Sequence, residues 1–157
     1  MSNFIRLITF SVEVTPTLSL AGYAKNDRIG SIQELFIKDE STDFVDLINL
    51  QIVDLTGQGP AMDIFFFSTN PTSIAADNAP FSLNNADALQ YHGSIAVVTL
   101  DWFFSASQAF ASVPTQIPMK LSPEHKIFAV AKINENATFS ANSLKFRYYF
   151  SMDYSGQ

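Results

Sequence analysis

The chain contains no cysteine, which excludes disulfides, thiolate metal sites and cysteine nucleophiles at once. A cysteine-free chain is compatible with synthesis in a reducing cytoplasm and leaves stability to packing or to association with other chains. Histidine is nearly as scarce. Acid/base and nucleophilic catalysis usually draw on it, and only His92 and His125 are available. Neither lies in a catalytic motif: His92 sits in Tyr91-His92-Gly93 where a strand should begin, and His125 follows Pro123-Glu124 in a turn. Both read as surface or capping residues. No Gly-x-Ser-x-Gly elbow occurs, since Leu18-Ser19-Leu20 and Ala106-Ser107-Gln108 look like strand or loop. A glycine-rich phosphate loop is also missing, as are long helix-forming runs of Ala, Glu, Lys and Leu.

Positive charge is absent from the middle of the chain. No Lys or Arg occurs between Lys38 and Lys120, a span holding Asp39, Glu40, Asp43, Asp46, Asp54, Asp63, Asp77, Asp87 and Asp101. This distribution and the net charge of -6 argue against nucleic-acid binding, whose affinity comes mostly from Lys and Arg on phosphates. The acidic middle is either a solvated rim or a face for a basic partner. Asp39, Glu40, Asp43 and Asp46 lack the alternating acids and central glycine of a calcium loop, so they read as solvated loop. Asp63 and Asp101 could act as a glycosidase pair only if the fold set them face to face. No stretch resembles the roughly 20 mainly apolar residues of a membrane-spanning helix. The opening Met1-Ser2-Asn3-Phe4-Ile5-Arg6 lacks a following small-residue cleavage site, so no signal peptide is expected.

Apolar and aromatic residues are abundant. The 157 residues are 47% hydrophobic, with 15 Phe and 5 Tyr, enough for one core and biased towards strands. Strands are expected over residues 4–14, 17–23, 29–37, 44–53, 62–67, 94–100, 119–121, 127–132 and 144–152. Along the first, Phe4, Ile8, Phe10, Val12 and Val14 share a side with Arg6 as the odd member. The run 44–53 reads as a strand buried on both faces, and Gly57-Gln58-Gly59-Pro60 as the loop of a hairpin to the next strand. Residues 68–85 read as one long irregular loop, followed by a helical turn over 85–91. Asp101 is placed as the cap of a second turn through Trp102, Phe103 and Phe104. Pro114 and Pro118 bracket a stretch leading to an edge strand near Met119 to Leu121. These elements predict an all-β chain, an antiparallel β-sandwich of jelly-roll type with one or two short helical turns; an up-and-down barrel is the main rival. One domain over 1–157 is expected, with 1–16 as a strand or an arm that swaps or docks on a neighbour.

Aromatics at 13% of the chain exceed what one small core readily hides, and a surplus marks a subunit interface. Trp102, Phe103, Tyr91 and Tyr154 could instead form a sugar-stacking platform.

The segment Tyr23-Ala24-Lys25-Asn26-Asp27-Arg28-Ile29-Gly30 resembles the opening motif of a group of tailed-phage proteins that includes capsid decoration or auxiliary head proteins. Leu50-Gln51-Ile52-Val53-Asp54, Met62 through Pro71, Asp77-Asn78-Ala79-Pro80-Phe81, Asp87 before Gly93, and Lys126 through Ala131 follow that group's order. The resemblance runs roughly from residue 17 to 150, and Asn-Pro followed by Asp-Asn-Ala is its most distinctive part. It implies a β-sandwich virion component without enzymatic activity. The expected function is decoration or cementing of a bacteriophage capsid by binding the major capsid protein, as a homo-oligomer on the capsid surface, made in the host cytoplasm. The alternative is a carbohydrate-binding module on a fibre or tail. No catalytic residue, cofactor, metal, nucleic acid or membrane partner is expected. The expected interaction residues are Asn70, Pro71, Asp77, Asn78, Phe81, Trp102 and Phe103. Asn70-Pro71 and Asp77-Asn78 can equally be turn-forming residues.

Overall fold

Alternation of apolar and polar side chains along the last strand, β9 (Leu144–Tyr154), turns Leu144, Phe146, Tyr148, Phe150 and Met152 to one side, where all five are buried. Lys145 and Arg147 point the other way into solvent. In this computed structural model, which describes residues 6–38 and 42–154, eight further strands precede it: β1 (Arg6–Val14), β2 (Arg28–Phe36), β3 (Phe44–Asp54), β4 (Met62–Phe67), β5 (Tyr91–Val97), β6 (Trp102–Phe104), β7 (Ala109–Lys120) and β8 (Lys126–Ile133). Expectations resting on Phe4, Asp39 and Glu40, or on the side chains of Arg6 and Tyr154, fall outside the described residues.

The strands form two antiparallel sheets, ordered β1-β9-β3-β7-β6 and β2-β8-β4-β5. The pairings are nested. β4 pairs with β5, β3 with β7, β2 with β8 and β1 with β9, so the chain is one long hairpin rolled until its outer and inner pairs stack. That is the jelly roll, and it rules out the up-and-down barrel. β6 adds three residues to the β7 edge.

The main core lies between the sheets. Ile29, Leu35, Leu47, Leu50, Ile52, Met62, Ile64 and Phe66 meet the inner face of β9 there. Burying each such side chain contributes about 1.5–3 kcal/mol. At the centre Phe66 and Tyr148 meet edge to face, with ring centroids 5.9 Å apart, an arrangement the ring quadrupoles favour. The Tyr148 hydroxyl donates to Gln33 Oε1 at 2.6 Å.

Several expectations are corrected. Residues 17–23 form no strand: apart from a bridge between Tyr23 and Ala137, the segment is irregular and held by side-chain bonds. Gly57-Gln58-Gly59-Pro60 is not a hairpin loop, because β3 and β4 belong to different sheets; buried Asp54 gathers the loop by accepting from the amides of Thr56, Gln58 and Gly59 at 2.8–3.0 Å. β3 is fully buried on one face only. The strand buried on both faces is β8, with Ile127, Ala129, Ala131 and Ile133 towards the main core and Phe128 and Val130 towards a second cluster. Trp102-Phe103-Phe104 is strand rather than helical turn. The turn precedes it at Thr99–Asp101, and the Asp101 carboxylate accepts from the Val98 amide at 2.8 Å. β7 is one strand from Ala109 to Lys120, starting well before the prolines, and continues through Pro114 and Pro118 with a register shift against β3 between them. Both prolines lie beyond the reach of β6, on a stretch whose one partner is β3, so their missing N–H groups leave no ladder incomplete on the free side.

Candidate functional site

The resemblance points first to the loop after β4. Its apolar residues, Ile74, Phe81 and Leu83, pack with Ile32 and Phe65 on Phe67, Phe128 and Val130, forming a small second core on the outer face of the four-stranded sheet. Phe81 stacks on Phe65 at 4.8 Å with the rings 22° from parallel. The loop is therefore a cover over the sheet.

Polar residues fasten its rim. Asp77 accepts from the Ser19 amide at 2.9 Å, the Tyr23 hydroxyl at 2.8 Å and the Gly30 amide at 2.6 Å. Arg28, buried, donates to the carbonyls of Gly30 at 3.0 Å and Ala75 at 2.6 Å. Gly30 can approach this closely because it is glycine at φ 70°, where a Cβ would stand 3.0 Å from the Thr17 carbonyl oxygen. Asn78, left-handed at φ 58°, donates its amide to the Arg28 carbonyl at 3.0 Å. Burial and the Asp77 hydrogen bond push the Tyr23 phenol well above the usual tyrosine range, whereas burial lowers Arg28 against the pull of Asp77. Asp87 holds the far end by accepting from the Ser73 amide at 2.8 Å. Asp77, Asn78 and Phe81 are thus engaged with their own chain. Pro71 is buried and Asn70 exposed.

Trp102 and Phe103 separate. Trp102 is 6% exposed, its indole N–H donating to the Pro60 carbonyl at 3.1 Å, which removes it from any sugar-stacking platform. Phe103 is 73% exposed and lies opposite Phe110 across the β6–β7 ladder. With Val53, Gln51 and Ser112 these two rings border a shallow depression of about 340 Å³ on the outer face of the five-stranded sheet. Leu100, 94% exposed, and Val98 lie just before β6. Leu100 and Phe110 are absent from the expected interaction residues. Phe110 was legible, because in Ala109-Phe110-Ala111-Ser112 a strand turns the ring away from the two small core residues.

The remaining candidate chemistry does not assemble. Asp63 faces Lys132 at 3.3 Å on the four-stranded sheet, whereas Asp101 leads into β6 of the other, so they form no facing pair. Burial lowers the His92 pKa, with a hydrogen bond to the Lys120 backbone opposing it. His125 occupies a turn at φ 57°. Among the described residues no group of three or more His, Asp or Glu could hold a metal ion, and no helix is long and apolar enough to cross a membrane.

No protein-family model matches the chain, and no curated protein matches it significantly. Among solved structures, a chain of tomato aspermy virus is similar at 9% identity with a TM-score of 0.49, over 96% of this chain and 80% of that one. A chain of turnip yellow mosaic virus is similar at 15% identity and a TM-score of 0.35, over 100% and 97%. A chain of sacbrood virus of honeybee is similar at 13% identity and a TM-score of 0.28, over 96% and 70%. Such values assign no function to this chain.

Proposed function

We propose that this chain is a structural component of a virion, a non-enzymatic protein that decorates or cements a bacteriophage capsid by binding the major capsid protein at the capsid surface. The observation that carries the reading is the exposed pair Phe103 and Phe110, with Leu100 and Val98 beside it, on the β6–β7 ladder. Exposed aromatic rings held on regular structure suit the centre of an interface, where they bury large areas at little entropic cost. The resemblance to phage decoration proteins supplies the class of partner. The carbohydrate-binding alternative loses its main support with Trp102 buried.

The test is co-sedimentation of the purified chain with shells of the major capsid protein from the virus that encodes it. Binding is expected, and Phe103→Ser with Phe110→Ser should abolish it while circular dichroism shows the fold retained, since Phe103 is 73% and Phe110 41% exposed. A chain that fails to bind shells and is missing from washed virions by mass spectrometry would sink the reading.

A further inference from the structure

An unpaired sheet edge is a template for another strand, and folded proteins usually blunt such edges. Among the described residues, three of the four edges are blunted over part or all of their length. β6 has three residues, and the β7 edge beyond it carries Pro114 and Pro118. The β2 edge is occupied by its own chain over its first part: Ser31 donates to the Thr17 carbonyl at 3.0 Å, Arg28 to Ala79 at 2.9 Å and Asn78 to Arg28 at 3.0 Å. β5 shifts register opposite Phe66 and Phe67, and Gly93 lies against Ile117 of β7.

β1 carries none of these devices. Its nine residues hold an unbroken register with β9, from Arg6 opposite Tyr154 to Val14 opposite Phe146, and contain no proline or glycine. Every other residue of such a strand directs its N–H and C=O away from its one partner. Along the edge opens a cleft of about 470 Å³, lined by the inward Ile8, Phe10 and Val12, by Ser11 and Glu13 of the same strand, and by Phe36 and Met152. Ile8, Phe10 and Val12 face inwards yet stay half-buried, because β2 does not close over them.

We propose that β1 is a self-association edge, at which two copies of this chain pair strand to strand, antiparallel, about a twofold axis through Phe10. The sequence around Phe10 is nearly palindromic in character. The axis sets Ile8 opposite the partner's Val12 and Phe10 opposite the partner's Phe10 on the inner face, so apolar meets apolar over the cleft. On the outer face Thr9 meets the partner's Ser11, a favourable cross-strand combination. Glu13 meets the partner's Leu7, and its carboxylate already accepts from Arg147 Nε of its own chain at 2.7 Å, so no like charges stand opposite one another. A self-complementary patch is what a twofold interface requires. One strand pair is small for an interface, so the dimer should dissociate reversibly in the micromolar range. The inference does not rest on the virion reading: a monomer that still binds shells would overturn this one alone.

Sedimentation equilibrium of the full chain over a range of concentrations tests it. A monomer–dimer equilibrium is expected. Thr9→Lys with Ser11→Lys puts like charges across the axis and should weaken the dimer at least about tenfold, whereas Thr9→Lys with Ser11→Glu puts opposite charges there and should restore it. Both positions are solvent-facing in the single chain, so the fold should tolerate either change, as circular dichroism can verify. A monomer at all concentrations, or two variants that behave alike, would overturn the proposal. Should a variant misfold, hydrogen exchange on the unaltered chain decides: β1 amides facing away from β9 should gain protection as concentration rises, and unchanged exchange refutes the pairing.

Discussion

Replacing Asp77 by alanine distinguishes a fastening residue from a contact residue. The substitution strands three donors at once, the Ser19 amide, the Tyr23 hydroxyl and the Gly30 amide, and takes the nearby negative charge from buried Arg28. Hydrogen bonds to a charged group are worth about 1.5–3 kcal/mol each. Asp77 is only half-buried, so water can replace part of what is lost and the three contributions do not add in full. A net loss of about 3 kcal/mol is expected. For a chain of this length that lowers Tm by about 6–12 °C. Asp77→Asn keeps acceptor capacity without the charge and should lie between wild type and Asp77→Ala. Thermal and urea unfolding followed by near-ultraviolet circular dichroism measure the difference. An Asp77→Ala protein within about 0.5 kcal/mol of wild type that had nevertheless lost shell binding would refute the reasoning and make Asp77 a contact residue.

Tyr148→Phe should cost about 1–3 kcal/mol in urea unfolding, because it leaves the Gln33 carbonyl oxygen without a donor inside the main core; an unchanged midpoint would mean that the pair contributes nothing. Alkaline pH supplies another test. Burial raises the pKa of Tyr23 and Tyr148, so the folded chain retains protons that the unfolded chain releases above pH about 10. The stability contributed by these neutral phenols is complete below that pH and falls as pH rises through it. Ultraviolet titration should show Tyr23 and Tyr148 ionising only as the fold opens, and their ionisation in the folded chain would contradict the burial.

The strand pattern was legible wherever a single face is buried. Period-two alternation in β1, β4 and β9, and turn residues such as Lys25-Asn26-Asp27, depend on neighbours along the chain, so a linear reading captures them. It failed where side chains replace the ladder. Residues 17–23 alternate as a strand would, yet Asp77, far along the chain, claims Ser19 and Tyr23. Of the residues expected to meet a partner, Asn70 and Phe103 are exposed, whereas Asp77, Asn78, Phe81 and Trp102 are drawn into the chain's own structure.

Composition and alternation by themselves determined that this chain folds as an all-β sandwich without disulfides, because both depend on residue type and nearest neighbours alone. Only the tertiary structure decided which strands pair, and therefore that β8, rather than β3, is buried on both faces. It also decided that Trp102 is a core residue while Phe103 beside it is surface. Adjacent residues on a strand point in opposite directions, and which direction is inside depends on a sheet assembled from segments far apart in sequence.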